Sequence, residues 1–217
     1  MNPLAWLRAA RALRERGVLG MNQRNIEFIS PHNPRWNQQI LDDKLLTKRR
    51  AQETGVRVPV LLGVLRHHHE VRDFRAVLED HERFVIKPAH GSGGRGILVV
   101  TGREGEELVT ASSRRVPIED VERHLSDILG GLYSLGGRPD VVMIEEVVRS
   151  DPSLEAYSFE GVPDVRTIVY RGVPVMAMLR GSTARSGGRA NLHQGAIGIG
   201  LSLKDGTARH AVQGRAR

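Results

Sequence analysis

The stretch FVIKPAHGSGGRGILVV, from Phe84 to Val100, decides the fold. It opens with an apolar, strand-like run that carries Lys87, continues through a loop with four glycines, and closes with a second apolar run from Ile97. Glycines let backbone N–H groups converge on an anion, and a lysine on the preceding strand adds a positive point charge. The stretch therefore predicts a strand, a phosphate-binding loop and a second strand.

Two common nucleotide motifs do not explain this loop. Gly91, Gly93 and Gly96 have the G-x-G-x-x-G spacing of dinucleotide-binding proteins. That motif must open a helix, whereas here apolar and β-branched residues resume at once. A Walker loop needs Lys and then Ser or Thr after its last glycine, and Gly96 is followed by Ile97. Both classes are excluded by the local context.

A protein kinase loop and a bare hairpin turn could also place glycines between two strands. A kinase covers phosphates with a glycine-rich hairpin, but its lysine follows the loop and it needs HRD and DFG motifs, which this sequence lacks. In a simple hairpin turn the glycines would only reverse the chain direction. His90, Ser92 and four glycines exceed what a tight turn requires.

Composition limits the remaining function classes. The chain has 217 residues, a net charge of +7 and no cysteine. Its length allows one sizeable core or two small lobes, and its charge favours acidic partners such as nucleotides. Disulfides, thiolate zinc sites and a cysteine nucleophile are excluded. Without a long apolar run or a signal-peptide pattern, a cytoplasmic protein without a membrane span is expected.

The N-terminal region predicts two helices separated by a polar loop. Asn2 can cap a helix that starts at Pro3, carries leucines at helical spacing and stops at Gly17. Its arginines suit either a partner-binding helix or a solvated face. The segment GMNQRN at 20–25 is unusual and receives no assignment. A second helix should begin around Asp42 and end at Gly55.

The run VVMIEEVV, at 141–148, predicts a strand with two carboxylates. Glu145 and Glu146 are adjacent, so they point to opposite faces and one of them should border a cleft, unless both lie at an exposed strand end. The three consecutive histidines at 67–69 cannot all face one metal on a regular element, so a solvated patch is favoured there.

A hairpin carries the next charged set. Strands at 165–170 and 173–179 flank the turn Arg171-Gly172. Asp164 and Arg166 lie two residues apart and hence on one strand face, where Arg180 can join them. The segment Asn191-Leu192-His193-Gln194-Gly195 and two further strands follow.

These motifs, in this order, resemble the ATP-grasp superfamily. Within it, GVLGMNQRN (17–25) and LDDKLLTKRRAQETGVRVP (41–59) resemble the alpha-L-glutamate ligase-like proteins related to the ribosomal-protein glutamate ligase. The resemblance implies an α+β fold with two lobes of mainly antiparallel sheet that hold ATP between them. The expected regions are 1–40 (basic helix and polar loop), 41–147 (first lobe) and 148–217 (second lobe, incomplete).

The resemblance also implies a set of site residues. It assigns ATP binding to Lys48, Lys87, His90, Gly91, Ser92, Gly93, Gly94, Glu145, Glu146, Val147 and Asp164. The lysines would contact phosphates, the loop would close over them, and residues 145–147 would read the adenine and ribose. It assigns the reacting centre to Arg166, Arg180, Asn191 and His193.

The implied chemistry is the activation of a carboxylate by ATP, through an acyl phosphate that an amine attacks to form an amide or peptide bond. The expected partners are ATP, an amino acid such as glutamate and a carboxylate-bearing, acidic acceptor; Mg²⁺ is expected from the family. The family's metal ligands, an Asp and a Glu-x-Asn segment, have no match here, so no metal-binding residue is predicted and the chain looks truncated.

That gap leaves a second function open: a non-catalytic or partner-completed ATP-binding module. A nucleic-acid-binding function is disfavoured, because aromatic residues suited to base stacking are not interleaved with the basic residues.

Overall fold

A computed structural model describes residues 3–134 and 136–214. Contacts divide the chain into two compact units, Met1–Asp42 and Asp43–Arg217. Within the described residues, no helix is both long enough and apolar enough to cross a bilayer.

The first unit is helical. Helix α1 begins at Pro3, as predicted, and ends at Glu15, shortly before Gly17 with its left-handed φ of 77°. The unassigned segment at 20–25 opens a second helical stretch, which Asn33 closes by donating a hydrogen bond to the Ile29 carbonyl at 2.8 Å. The helical bounds are α1 Pro3–Glu15, α2 Met21–Gln23, a π-helical segment Arg24–Ile29 and α3 Arg35–Asp42.

The second unit begins with a capped helix, α4 (Lys44–Glu53). Asp43 is its N-cap, and the carboxylate accepts hydrogen bonds from the backbone N–H groups of Leu45 and Leu46 at 2.8 and 3.0 Å. Such a cap satisfies amides that have no partner inside the helix. The predicted helix around Asp42–Gly55 therefore starts after a break, because Asp42 ends α3.

A six-stranded antiparallel sheet forms the larger part of this unit. Its strand order is β1-β6-β2-β3-β4-β5, and each neighbouring pair is antiparallel. The bounds are β1 Leu61–Leu65, β2 Phe84–Pro88, β3 Leu98–Glu104, β4 Glu107–Thr110, β5 Arg115–Pro117 and β6 Val142–Glu145.

Helices cover this sheet and enclose a core. They are the 3₁₀ segment His68–Asp73, α5 (Phe74–Asp80) and α6 (Ile118–Leu129). Phe74 and Phe84 are fully buried and meet edge to face, with ring centroids 5.7 Å apart. The apolar residues of α6, which recur at helical spacing, are buried in the same cluster.

A four-stranded antiparallel sheet follows, in the order β10-β9-β8-β7. Arg171 (φ 51°) and Gly172 (φ 82°) form the turn between β7 and β8, with the two positive φ values that a two-residue hairpin requires. The register pairs Asp164 with Arg180. The remaining bounds are α7 Pro152–Glu155, β7 Asp164–Tyr170, β8 Val173–Gly181, β9 Ile197–Leu201 and β10 Ala208–Gln213.

Candidate functional site

The glycine loop joins β2 to β3, as the sequence predicted. Gly93, Gly94 and Gly96 have φ values of 66°, 77° and 74°, a left-handed conformation that costs other residues about 1–2 kcal/mol. At Gly91 the constraint is contact, since an added Cβ would lie only 2.3 Å from Cγ of Pro88. Glycines at these positions therefore allow the loop to have this path without backbone strain or a steric clash.

The first residue of the loop is held by a buried carboxylate. Asp140 accepts the backbone N–H of His90 at 3.0 and 3.1 Å, and its Oδ1 lies 2.7 Å from His90 Nδ1. Lys44 Nζ donates to the carbonyls of Ala89, at 3.0 Å, and Gly91. Together these bonds fix the start of the loop to helix α4 and to the segment before β6.

The last residue of the loop is held by helix α6. His124 Nε2 lies 3.0 Å from the Gly96 carbonyl, and its Nδ1 lies 3.3 Å from the Tyr133 hydroxyl. A carbonyl can only accept, so Nε2 carries the proton and Nδ1 accepts from Tyr133. Burial lowers the pKa of His124, against the opposing effect of the Gly96 hydrogen bond, which agrees with this neutral tautomer. Burial also raises the pKa of Tyr133.

Two predicted lysines share one buried carboxylate. Glu145 Oε1 lies 2.8 Å from Lys48 Nζ, and Glu145 Oε2 contacts Lys87 Nζ. The side chains of Lys48 and Glu145 are only 5% and 3% exposed, whereas that of Lys87 is 22% exposed. Oε1 has no partner with hydrogen-bond geometry among the described residues, so its contact with Lys48 is an ion pair only.

This cluster has two cations and one anion. Its surplus positive charge lies on the more exposed Lys87, on the strand that leads into the glycine loop. An anion such as a phosphate can bind there without displacing the buried pair of Lys48 and Glu145.

The second carboxylate of the pair has a different environment. Glu146 is exposed, accepts the Val60 N–H at 2.9 Å and donates its own N–H to the Val60 carbonyl at 3.0 Å. The two glutamates thus differ in the way that strand alternation predicts, and Glu145 is the one turned toward the lysines. Val147 follows β6 and is half-buried.

The predicted residues of the four-stranded sheet surround a cleft of about 560 Å³. Asp164, Arg180, Asn191 and Gly94 all line it. Arg180 donates through Nε and Nη2 to the two oxygens of Asp164, both at 2.8 Å, which is the bidentate geometry of a strong ion pair.

Two predicted residues lie elsewhere. Arg166 and His193 are exposed and do not line this cleft, although Arg166 shares the strand β7 with Asp164. Ser92 and Gly93 are exposed at the tip of the glycine loop. The structure therefore does not bring all predicted residues together: one group surrounds Glu145, another lines the cleft, and Arg166 and His193 belong to neither.

Sequence reasoning missed the residues that hold the loop, Asp140, His124 and Tyr133, and the cleft residues Arg114 and Arg189. For Asp140 the sequence did contain one signal, an acidic residue directly before an apolar strand. The other four have no pattern that sets them apart in a single sequence.

No group of three or more metal-binding side chains is present within residues 3–134 and 136–214. At the histidine triplet, the rings of His67 and His69 stack 5.5 Å apart. Mg²⁺ in nucleotide sites usually takes only one or two protein carboxylates besides the phosphates, so the expected Mg²⁺ stays a prediction.

Two comparisons with known proteins give limited similarity. No curated protein was found to match the chain. Among solved structures it is similar to the crystal structure of D-cycloserine synthetase DcsG, at 20% identity and a TM-score of 0.41, with 70% of this chain and 43% of that chain covered. The chain thus spans less than half the length of that protein.

The family match is broader, because residues 23–217 match the family described as sugar-transfer associated ATP-grasp. The predicted α+β fold and the ATP-grasp superfamily are confirmed, while the closer relation to glutamate ligases stays a prediction. The chain belongs to the sugar-transfer associated ATP-grasp family.

Proposed function

We propose that this chain binds ATP and acts in an ATP-dependent carboxylate–amine ligase. The observation that carries the proposal is the pairing of Lys48 and Lys87 with Glu145, beside a glycine loop that is held at both ends. Membership of the ATP-grasp family supports the same nucleotide. Cytoplasmic localisation stays a prediction.

The contacts suggest which residues would bind each part of ATP. Lys87 and the N–H groups of the glycine loop would bind phosphate oxygens, and Lys48 would keep Glu145 oriented. The Glu146 N–H is already bonded to Val60, whereas the Val147 main chain has no hydrogen-bond partner among the described residues. We therefore assign the contact with the adenine edge to the main chain of Val147.

The proposed reaction has two steps. A substrate carboxylate oxygen attacks the γ-phosphorus of ATP, which breaks the bond to the β–γ bridging oxygen and releases ADP. An amine then attacks the acyl carbon, inorganic phosphate leaves, and the amine proton passes to solvent. The protein contributes positioning and positive charge at the phosphoryl group. Mg²⁺ has no described ligand set, so no step is assigned to it.

The positions of the sheets support the proposed two-lobe division. All strands of the six-stranded sheet fall within 41–147, and all strands of the four-stranded sheet fall within 148–217. We propose these as the two ATP-grasp lobes, with 1–40 preceding them. Limited proteolysis followed by mass spectrometry would test this, since cleavage should concentrate between residues 148 and 163 and before residue 43.

The nucleotide proposal is tested by calorimetric titration with a non-hydrolysable ATP analogue. Lys87→Ala removes a charged hydrogen bond of about 1.5–3 kcal/mol, so we expect affinity to fall roughly 10- to 100-fold. Lys204→Ala, in the exposed turn before β10, is the matched control and should bind as the parent does. Thermal melting shows that each variant is folded. Equal affinity of Lys87→Ala and the parent, or no binding by the parent, would refute the proposal.

A second candidate is an ATP-binding module without turnover. It is favoured because the described carboxylates that line the cleft are Asp164, already paired with Arg180, and Glu160. Release of ADP that rises with an added amino acid and a carboxylate acceptor would establish the ligase. Binding of the analogue without such release would establish the module.

A further inference from the structure

Three arginines line the cleft between the two sheets of the second unit. Arg114 lies in the turn between β4 and β5, Arg180 near the end of β8, and Arg189 in the loop after β8. The cleft also has an apolar wall, formed by Ile97, Leu98 and Val99 at the start of β3. Its volume of about 560 Å³ lies in the range of small-molecule sites.

Only one of these arginines has its charge matched. Arg180 forms the bidentate pair with Asp164. No carboxylate of the described residues lies within ion-pair distance of Arg114 or Arg189, and Glu160 is the other acidic residue that lines the cleft. Two guanidinium groups are therefore left for an anion from outside the chain.

Unpaired arginines are common in this basic chain, so what sets Arg114 and Arg189 apart is that they line the cleft. Arg115, next to Arg114, pairs with Glu104 at 2.6 Å. Other exposed arginines pair in the same way, such as Arg75 with Glu122 and Arg50 with Glu53. Arg114 and Arg189 differ from these by lining a cavity and by having no carboxylate within ion-pair distance in the described part of the chain.

The cleft also adjoins the proposed reaction. Gly94, at the tip of the glycine loop, lines it, and a Cβ at Gly94 would lie 3.8 Å from Cδ of Arg189. Asn191, predicted for the reacting centre, lines it too. A molecule in the cleft would therefore lie next to the phosphate end of the nucleotide.

We propose that the cleft binds the carboxylate substrate, and that Arg114 and Arg189 select one with a second anionic group on a short aliphatic chain. This inference rests on the proposed ligase function for the identity of the reacting carboxylate. The carboxylate to be activated lies toward Gly94 and Asn191, the aliphatic chain lies along Ile97–Val99, and the second anion binds the two arginines. Arginine suits this role because its guanidinium binds carboxylates through two parallel hydrogen bonds.

The test uses glutarate, a dicarboxylate, and glutaramate, in which an amide replaces one carboxylate. Binding of each is measured by calorimetry or ligand-detected NMR, with and without the non-hydrolysable ATP analogue. We expect glutarate to bind at least about tenfold more tightly than glutaramate, since a charge-assisted hydrogen bond contributes about 1.5–3 kcal/mol. Arg114→Ala and Arg189→Ala should each remove most of this preference. Arg209→Ala, an exposed arginine on β10 that does not line the cleft, should retain it.

Several outcomes would overturn the inference. Equal affinity for glutarate and glutaramate would do so, as would equal losses in Arg114→Ala and Arg209→Ala. If the two cleft variants weaken the ATP analogue and leave glutarate binding unchanged, the arginines serve the nucleotide instead. Failure of the parent to bind the ATP analogue is a separate result, which refutes the proposed function while the nucleotide-free titration still measures glutarate selectivity. Both arginines are exposed, so their variants should fold, and thermal melting checks this.

Discussion

The two sheets of the second unit differ sharply in burial. In the six-stranded sheet, β6 is buried along its whole length, and β2 alternates buried with half-buried residues. In the four-stranded sheet, β10 is exposed throughout and β7 is exposed after Asp164. Both hydrophobic clusters of the described chain lie between Leu45 and Ile144, and Pro163 and Ala196 are the buried apolar side chains among the described residues after them.

This difference in burial indicates which sheet contributes more to the free energy of folding and which one should open locally more easily. Helices α5 and α6 cover the six-stranded sheet, and burial of apolar area supplies most of the free energy of folding. The four-stranded sheet depends more on its backbone ladder, so local opening should require less free energy there. Asp164 and Arg180 therefore lie on the sheet with less buried area, and Asn191 lies in the loop between β8 and β9.

The largest contrast should come from truncating one apolar side chain in each sheet. Phe84→Ala empties a fully buried position against Phe74 and should reduce the free energy of unfolding by about 3–5 kcal/mol. Val173→Ala, at a side chain that is 61% exposed, should change it by less than about 0.5 kcal/mol. Urea unfolding followed by circular dichroism measures both values. Similar losses in the two variants would mean that the burial contrast does not govern stability.

A matched pair of glycines should give the next largest difference. Gly131 (φ 87°) and Gly172 (φ 82°) have the same left-handed backbone, but a Cβ at Gly131 would lie 2.2 Å from the Arg138 carbonyl oxygen, whereas nothing lies within 4 Å at Gly172. Gly172→Ala should cost about 1–2 kcal/mol for backbone strain alone. Gly131→Ala adds the steric clash, for about 2–4 kcal/mol in all. Thermal melting of both variants tests the order, and equal costs would show that the loop at 131–138 relaxes freely.

The smallest expected effect is a pH dependence from His124. Burial lowers its pKa in the folded chain below the unfolded value of about 6.5. The unfolded state therefore binds more protons, so this contribution to stability is complete above about pH 6.5 and is lost as the pH falls through the folded pKa. His124→Gln should weaken the decrease in the urea midpoint between about pH 7.5 and pH 5.5. His210→Gln, on exposed β10, is the control. If the urea midpoint changes with pH to the same extent in both variants, His124 is not the cause of the pH dependence.

Much of the architecture could be predicted because local patterns were strong. A few nearby residues determine the geometry of the glycine loop, of the apolar stripe of α6 and of the turn Arg171-Gly172. Helix α3 was missed because it is only eight residues long, although Trp36 and Ile40 lie four residues apart on it. Strand β5 is too short, at Arg115–Pro117, to show alternation.

The site was less predictable, since its decisive contacts are long-range. Strand alternation placed Glu145 and Glu146 on opposite faces, but only the packed sheet shows that Glu145 meets both lysines. Asp140 reaches His90 from a position 50 residues away in the sequence. The unpaired state of Arg114 depends on which carboxylates surround it in three dimensions, and no local pattern records that.

The two attachments of the glycine loop have a kinetic consequence. His90 is hydrogen-bonded to Asp140, and Gly96 is hydrogen-bonded to His124. The segment that can move over a bound phosphate is therefore short and spans residues 92–95. Loop motions take nanoseconds to microseconds, and lid movements in enzymes take microseconds to milliseconds. Because both ends of this loop are bonded, only a few residues would change conformation when a phosphate binds or leaves, so the loop should move at the fast end of that range.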